Sequence, residues 1–174
     1  MIARMWLLLR NILWIAVFPG IVTGFIPYLI LGPVNFPAIS EWTLQQFLAT
    51  LLYICGLAVL LSCVWAFASV GKGTLAPVDE TELLVVEGLH RYVRNPMYIG
   101  VAIMLLGETW FFLSRGMLMY TAGFFVLANA VVIFYEENRL RHKFGKEYQD
   151  YKNHVGRWIP GQPYKRNPKP VEDP

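Results

Sequence analysis

Charged side chains are missing from three long runs of the chain, Asn11 to Leu31, Trp42 to Gly71 and Gly116 to Tyr135. A fourth run, Met97 to Leu113, is apolar apart from Glu108. Each run approaches or exceeds the roughly 20 residues that a helix needs to cross a hydrocarbon core. Lipid offers backbone amides no hydrogen-bonding partner, so such runs must be helical. The pattern predicts an all-α integral membrane protein with about four transmembrane helices. Pro19 and Pro27 then mark kinks or an early end in the first helix. Trp6, Trp42 and Trp110 fall near expected helix ends, where interfacial aromatics collect.

Past the fourth run, Leu140, Phe144, Tyr148, Tyr151 and Val155 recur at helical spacing, with charged residues filling most of the positions between. This predicts an amphipathic cytoplasmic C-terminal helix on the membrane interface, where it either covers a pocket or anchors the chain. Residues 1–160 read as a single membrane domain. From Gly161 to Pro174, four prolines and mixed charge predict a flexible, solvated tail.

Composition narrows the class. Of 174 residues, 56% are hydrophobic and 16% charged, against about 45–50% and about 25% in an ordinary soluble domain. A water-soluble fold around one core is excluded, and 15% aromatic content excludes disorder over most of the chain. Cys55 and Cys63 stand in an apolar run without a further Cys/His pair, so neither a disulfide framework nor a metal site is expected.

The net charge of +3 is concentrated rather than spread. Arg4 and Arg10 precede the first helix, Lys72, Arg91 and Arg94 lie between the second and third, and nine Lys/Arg follow the fourth. Only Arg115 falls on the other side. Basic residues are retained on the cytoplasmic face, so both termini are expected there, in a multi-pass protein of a bacterial inner membrane. This bias accounts for the net charge without a nucleic-acid partner. Two arginines before an apolar run also fit a secretory signal, but the run is long and lacks a small-residue cleavage site.

Polar residues gather at the cytoplasmic ends of the helices. The loop from Lys72 to Asn95 opens with Gly71-Lys72-Gly73-Thr74. Its glycines let a ligand approach the backbone, or simply end a helix. The loop closes with Arg91, Arg94, Asn95, Pro96 and Tyr98 around a helix start, Asn95 at the N-cap and Pro96 in the first turn. A helix N-terminus with two arginines suits a carboxylate. Glu136-Glu137 ends the fourth run, where acids oppose the helix dipole unless the helix continues or a cation compensates. They either pair with Arg139 and Arg141 along the helix or form a site for a cation or for ribose hydroxyls. Glu108 is an intramembrane acid, and Asn129 fits interhelical hydrogen bonding.

Taken together and in order, these residues resemble the isoprenylcysteine carboxyl methyltransferases and their relatives, the phospholipid N-methyltransferases. The resemblance covers residues 70–160 and rests on Gly71-x-Gly73-Thr74, Arg91-Tyr92-x-Arg94-Asn95-Pro96-x-Tyr98-x-Gly100, Glu136-Glu137, Phe144-Gly145-x-x-Tyr148-x-x-Tyr151 and Arg157-x-Ile159-Pro160. It implies an integral-membrane enzyme that transfers a methyl group from S-adenosyl-L-methionine to a lipophilic acceptor drawn from the bilayer. It also implies a cofactor pocket lined by Gly71, Gly73, Asn95, Pro96, Tyr98, Gly100, Glu136 and Glu137. Asn95 stands where the prenylcysteine enzymes commonly have His, and there the sequence resembles the phospholipid enzymes. Two other classes remain: an NADPH-dependent membrane reductase of the sterol-reductase kind, and a non-catalytic membrane scaffold.

Side-chain chemistry suggests roles within that resemblance. Glu136 or Glu137 is an acceptor for ribose hydroxyls or an ammonium. Arg91 and Arg94 suit the methionine carboxylate or an anionic headgroup. Tyr98 and Tyr148 suit adenine or the sulfonium. A carboxylate or thiolate acceptor needs no base, whereas an amine must first lose a proton, and His90 is the one neutral-pH candidate, if it is not simply a solvated loop residue.

Overall fold

The computed structural model describes residues 18–33, 36–69 and 84–165. Gly71, Gly73 and Thr74 lie outside the described residues, as do Arg4, Trp6 and Arg10. Among the described residues five helices follow one another: α1 (Phe18–Leu31), α2 (Leu44–Ser69), α3 (Pro96–Phe112), α4 (Arg115–Val131) and α5 (Glu137–His154). Short 3-10 turns at Ile39–Glu41 and Gly88–Arg91 precede α2 and α3. Among the described residues the only β-type pairing is an isolated parallel bridge between Val93 and Gly156.

Two helical stretches are long and apolar enough to cross a membrane: Leu44–Phe67, and Arg115–His154, in which α4 and α5 run on without a gap. Only 22% of each apolar window is buried by the chain itself. Trp65, Met119, Val126 and Phe134 are each at least 70% exposed. Apolar surface on this scale needs lipid to cover it, so this is a membrane protein. The other two expected crossings correspond to the shorter apolar helices Phe18–Leu31 and Pro96–Phe112.

Proline explains the shape of α1. Pro27 has no N–H to give to the carbonyl four residues back, and just before it the helix widens into a π turn at Ile21–Phe25, closed by the Ile26 N–H to the Ile21 carbonyl. Gly32, at φ 72°, ends the helix. The α3–α4 turn passes through Leu113 in the left-handed region, and Ser114 caps α4 by accepting from the Met117 N–H at 3.3 Å.

The bundle is organised around α2 and α3. A Cβ on Gly100 would sit 2.9 Å from the Gly56 carbonyl oxygen, and one on Gly107 would sit 2.9 Å from both the Ala49 carbonyl oxygen and the Tyr53 nitrogen. Small residues therefore let the two backbones touch, which is how helices gain packing energy where lipid supplies no hydrophobic drive. Leu60, Val101, Met104, Leu105 and Met117 fill the core that α2 and α3 share with α4. The Thr109 and Thr121 hydroxyls, 2.9 Å apart, bond α3 to α4, and the Tyr120 hydroxyl donates to the Val22 carbonyl of α1.

The C-terminal stripe does not run as one unbroken helix. Gly145, at φ 50° and ψ −120°, breaks α5, and Tyr148, Tyr151 and Val155 turn inward to form a second core with Leu84 and Val86. The beginning of the tail is docked: the Gly161 N–H donates to the Tyr92 carbonyl and the Tyr164 N–H to the Arg91 carbonyl, both at 2.9 Å.

The close α2–α3 crossing carries a testable consequence. Gly107→Ala must push backbone from backbone and is expected to cost about 1–3 kcal/mol. Gly123→Ala, with nothing within 4 Å of its added Cβ, is expected to change stability little. Thermal unfolding of both variants in detergent checks the contrast.

Candidate functional site

The described polar residues converge where α3 begins and α4 gives way to α5. A π turn over Val132–Glu136 joins the last two, closed by the Glu137 N–H to the Val132 carbonyl. The helix therefore continues past the acid pair, and the expected conflict with a helix C-terminus does not arise. Successive residues on a helix point about 100° apart, so Glu136 and Glu137 face different partners.

Glu137 is 5% exposed and closely surrounded by cations. Its Oε1 accepts from Arg157 Nε at 2.6 Å and from Arg94 Nη1 at 3.2 Å, and its Oε2 accepts from Lys152 Nζ at 3.0 Å. Burial alone would raise its carboxyl, but the hydrogen bonds from Arg157 and Lys152, with the nearby Arg94 charge, hold it down at about 2. The same bond raises Arg157 above its ordinary value. The cation partners thus lie on the start of α3, late α5 and the segment after it, not at Arg141 one turn along.

This clamp depends on Gly145. In a straight helix, the 15 residues from Glu137 to Lys152 would span about 22 Å. The break at Gly145 folds the second half of α5 back, which is what closes that gap to 3.0 Å. The conformation at Gly145 lies in the region that favours glycine.

Glu136 has a different environment. Its Oε1 accepts from the Tyr98 hydroxyl, and Arg139 acts on it electrostatically. Against three cations on Glu137, these two interactions leave Glu136 with acceptor capacity. Asn95 occupies the N-cap of α3, but its side chain does not cap the helix; Nδ2 donates instead to the Arg157 carbonyl at 3.2 Å. Trp158 closes the group, its ring 6.3 Å from Tyr98 and its Nε1 donating to Asn129 Oδ1 at 3.0 Å. Asn129 therefore ties down the C-terminal segment rather than a neighbouring helix.

Several other expected site residues occupy packing positions. Pro96 is fully buried, Gly100 lies in the α2–α3 crossing, and Tyr148 is 2% exposed within the second core. The chain itself covers all three in this structure. Tyr148 acts on the site through its hydroxyl, which accepts from Arg94 Nη1 at 3.4 Å.

His90 is not a solvated loop residue. It is 6% exposed, stacks edge-on to Phe67 and accepts the Tyr151 hydroxyl at its carbonyl. Burial lowers its pKa to about 4, too low for an effective base at neutral pH. Arg91 donates from Nε to the Tyr164 carbonyl at 3.1 Å and lines a cavity of about 340 Å3 with Leu84, Val86, Glu87 and Gly88.

The sequence marks Arg157 only as part of the motif Arg157-x-Ile159-Pro160 and gives Lys152 and Trp158 no role, because all three lie beyond a glycine whose reversal the helical periodicity conceals.

The clamp predicts an acid transition. A carboxyl depressed from its ordinary 4.5 contributes its full stabilisation above about pH 4.5 and loses it as the pH falls towards 2. Glu137→Gln is expected to lower stability at pH 7 by about 2–4 kcal/mol, because it leaves three cations around a neutral amide, two of them partly screened by solvent. It should also flatten the loss between pH 4.5 and 2, as measured by thermal melts across that range.

Comparison with known proteins gives one match. The phospholipid methyltransferase family covers residues 44–147, from the first residue of α2 through Arg94, Tyr98 and the acid pair. Lys152 and Arg157 lie just beyond it. No curated protein and no solved structure matches. With well over half of its length matched, the chain belongs to the phospholipid methyltransferase family.

Proposed function

We propose that this membrane methyltransferase uses S-adenosyl-L-methionine and methylates a lipophilic acceptor, with the cofactor held beside Tyr98 and Glu136. The observation that carries the reading is the unequal treatment of the two acids. Glu137 is saturated by Arg94, Lys152 and Arg157, whereas Glu136 keeps room to accept hydrogen bonds at a partly open position. Ribose hydroxyls are donors of the kind such a carboxylate accepts.

The neighbouring groups fit the rest of that cofactor. Three cations surround one carboxylate, so the cluster retains positive charge, and the buried Arg94 Nε has no hydrogen-bond partner among the described residues. A guanidinium with a spare donor suits a carboxylate or a phosphate. The Tyr98 ring offers a face for adenine or a sulfonium. When bound, the cofactor supplies an electrophilic methyl group on its sulfonium sulfur.

The protein's share of the work is then positional. Arg94 and Glu136 fix the two ends of the cofactor, and the segment around Trp158 shields the site from water. Holding an acceptor headgroup in line with the methyl provides the larger part of the rate gain available to such a site. With its pKa lowered by burial, His90 is poorly suited to take a proton from an amine acceptor. The membrane topology that serves this reading has four crossings, α1 and α3 being the short ones, with every basic residue but Arg115 and both termini on the cytoplasmic side.

Calorimetric titration with S-adenosylhomocysteine, the reaction product, tests the proposal in detergent-purified protein. Saturable binding is expected, weakened more than tenfold in Glu136→Gln with the melting temperature unchanged. Glu137→Gln should lower the melting temperature. Folded protein that takes up no S-adenosylhomocysteine, or that binds NADPH in its place, would overturn the reading.

A further inference from the structure

A second cavity, of about 350 Å3, opens between α2 and α3. From Pro96 to Glu108 along α3 is about 18 Å at helical rise, so this cavity lies towards the opposite end of the bundle from the acid pair. Phe36, Trp42, Phe111 and Phe112 form much of its wall, and Tyr53 and Glu108 line it from α2 and α3. Its volume falls in the range of small-molecule sites, roughly 300–1,000 Å3.

The aromatic residues form a connected group. Phe36 packs against Phe111 and Phe112 at centroid distances of 6.3 and 5.8 Å, and Trp42 meets Phe111 edge-on at 5.3 Å. The Trp42 Nε1 is engaged by the Pro37 carbonyl at 3.2 Å, so its indole contributes ring surface rather than a donor.

Glu108 is the exceptional group in this cavity. Among the described residues its buried Oε2 has no hydrogen-bond partner, and no Lys, Arg or His there forms an ion pair with it. An uncompensated carboxylate in an apolar setting is costly, and a cation brought to it recovers that cost. A metal ion is a poor candidate, because no group of three His, Cys, Asp or Glu exists among the described residues. Aromatic faces cannot replace the hydration shell of a small inorganic ion either. An organic ammonium matches both features, since its charge pairs with the carboxylate and its carbon shell packs on the rings.

We propose that the Glu108 cavity is a binding site for an alkylammonium group, separate from the methyl-transfer site. Glu108 supplies the counter-charge, and Phe36, Trp42, Phe111 and Phe112 supply the aromatic box. A lipid headgroup and a free small cation share this chemistry.

The test uses the full chain in neutral maltoside micelles. Tetramethylammonium chloride and a short-chain phosphatidylcholine are titrated separately and followed by saturation-transfer NMR of their N-methyl protons. Sodium chloride at equal ionic strength and a short-chain diacylglycerol serve as controls. Saturable binding of either probe, weakened about tenfold or more in Glu108→Gln and again in Phe111→Leu, supports the site. Tetramethylammonium binding identifies a free cation, and binding of the lipid alone identifies a headgroup. Glu108→Gln preserves size and removes only the charge, so its effect is separable from misfolding. Because an acceptor bound at the methyl-transfer site carries a headgroup too, Glu136→Gln is measured in parallel. No binding of either probe overturns the proposal. So does binding that survives Glu108→Gln unchanged but is lost in Glu136→Gln.

Discussion

The buried Glu137 carboxylate is where separate parts of the chain are held together. Arg94 stands at the start of α3, Lys152 beyond the Gly145 break and Arg157 on the segment after α5, and all three reach one side chain. A charge so placed costs desolvation and is tolerated only because its partners are present together. Remove any one of these cations and the buried charge loses part of its compensation. The Val93–Gly156 bridge, the Arg94 N–H bond to the Gly156 carbonyl and the Asn95 bond to Arg157 follow from the same convergence.

The membrane-embedded half supplies the fixed frame on which this polar assembly is mounted. Glycine-mediated contact between α2 and α3 sets the position of the α3 N-terminus, and hence of Arg94, Asn95 and Tyr98. The π turn in the α4–α5 helix then turns two adjacent acids towards different neighbours. One acid is used to build the site, and its neighbour retains acceptor capacity for a ligand. Uncommon helix geometry at a cluster of this kind accords with where π turns usually occur.

Much of this was legible in the sequence. Uncharged runs located α2, α3 and α4 to within a few residues, because lipid permits little else in such stretches. The Glu136-Glu137 pair stood out as a breach of the helix-dipole rule, and Arg94 stood out by crowding a helix start. Other features depend on contacts that periodicity cannot express. The Leu140 to Val155 stripe has the same spacing whether or not Gly145 reverses the chain, so its inward turn was hidden. Asn95 looks like a cap because its position is right, yet its amide is drawn to a carbonyl 62 residues away. The fate of His90 was set by Phe67 and Tyr151, residues distant in sequence. Gly71 and Gly73, carried by the family resemblance, lie outside the described residues.

Hydrogen exchange with mass-spectrometric readout examines the central claim most directly, that Glu137 holds the C-terminal segment against the start of α3. In Glu137→Gln, peptides covering residues 91–98 and 155–165 should lose protection together, while peptides from the α2–α3 crossing keep theirs. Unchanged protection of both segments would contradict the account, because it would mean that they are held in place without the charge clamp.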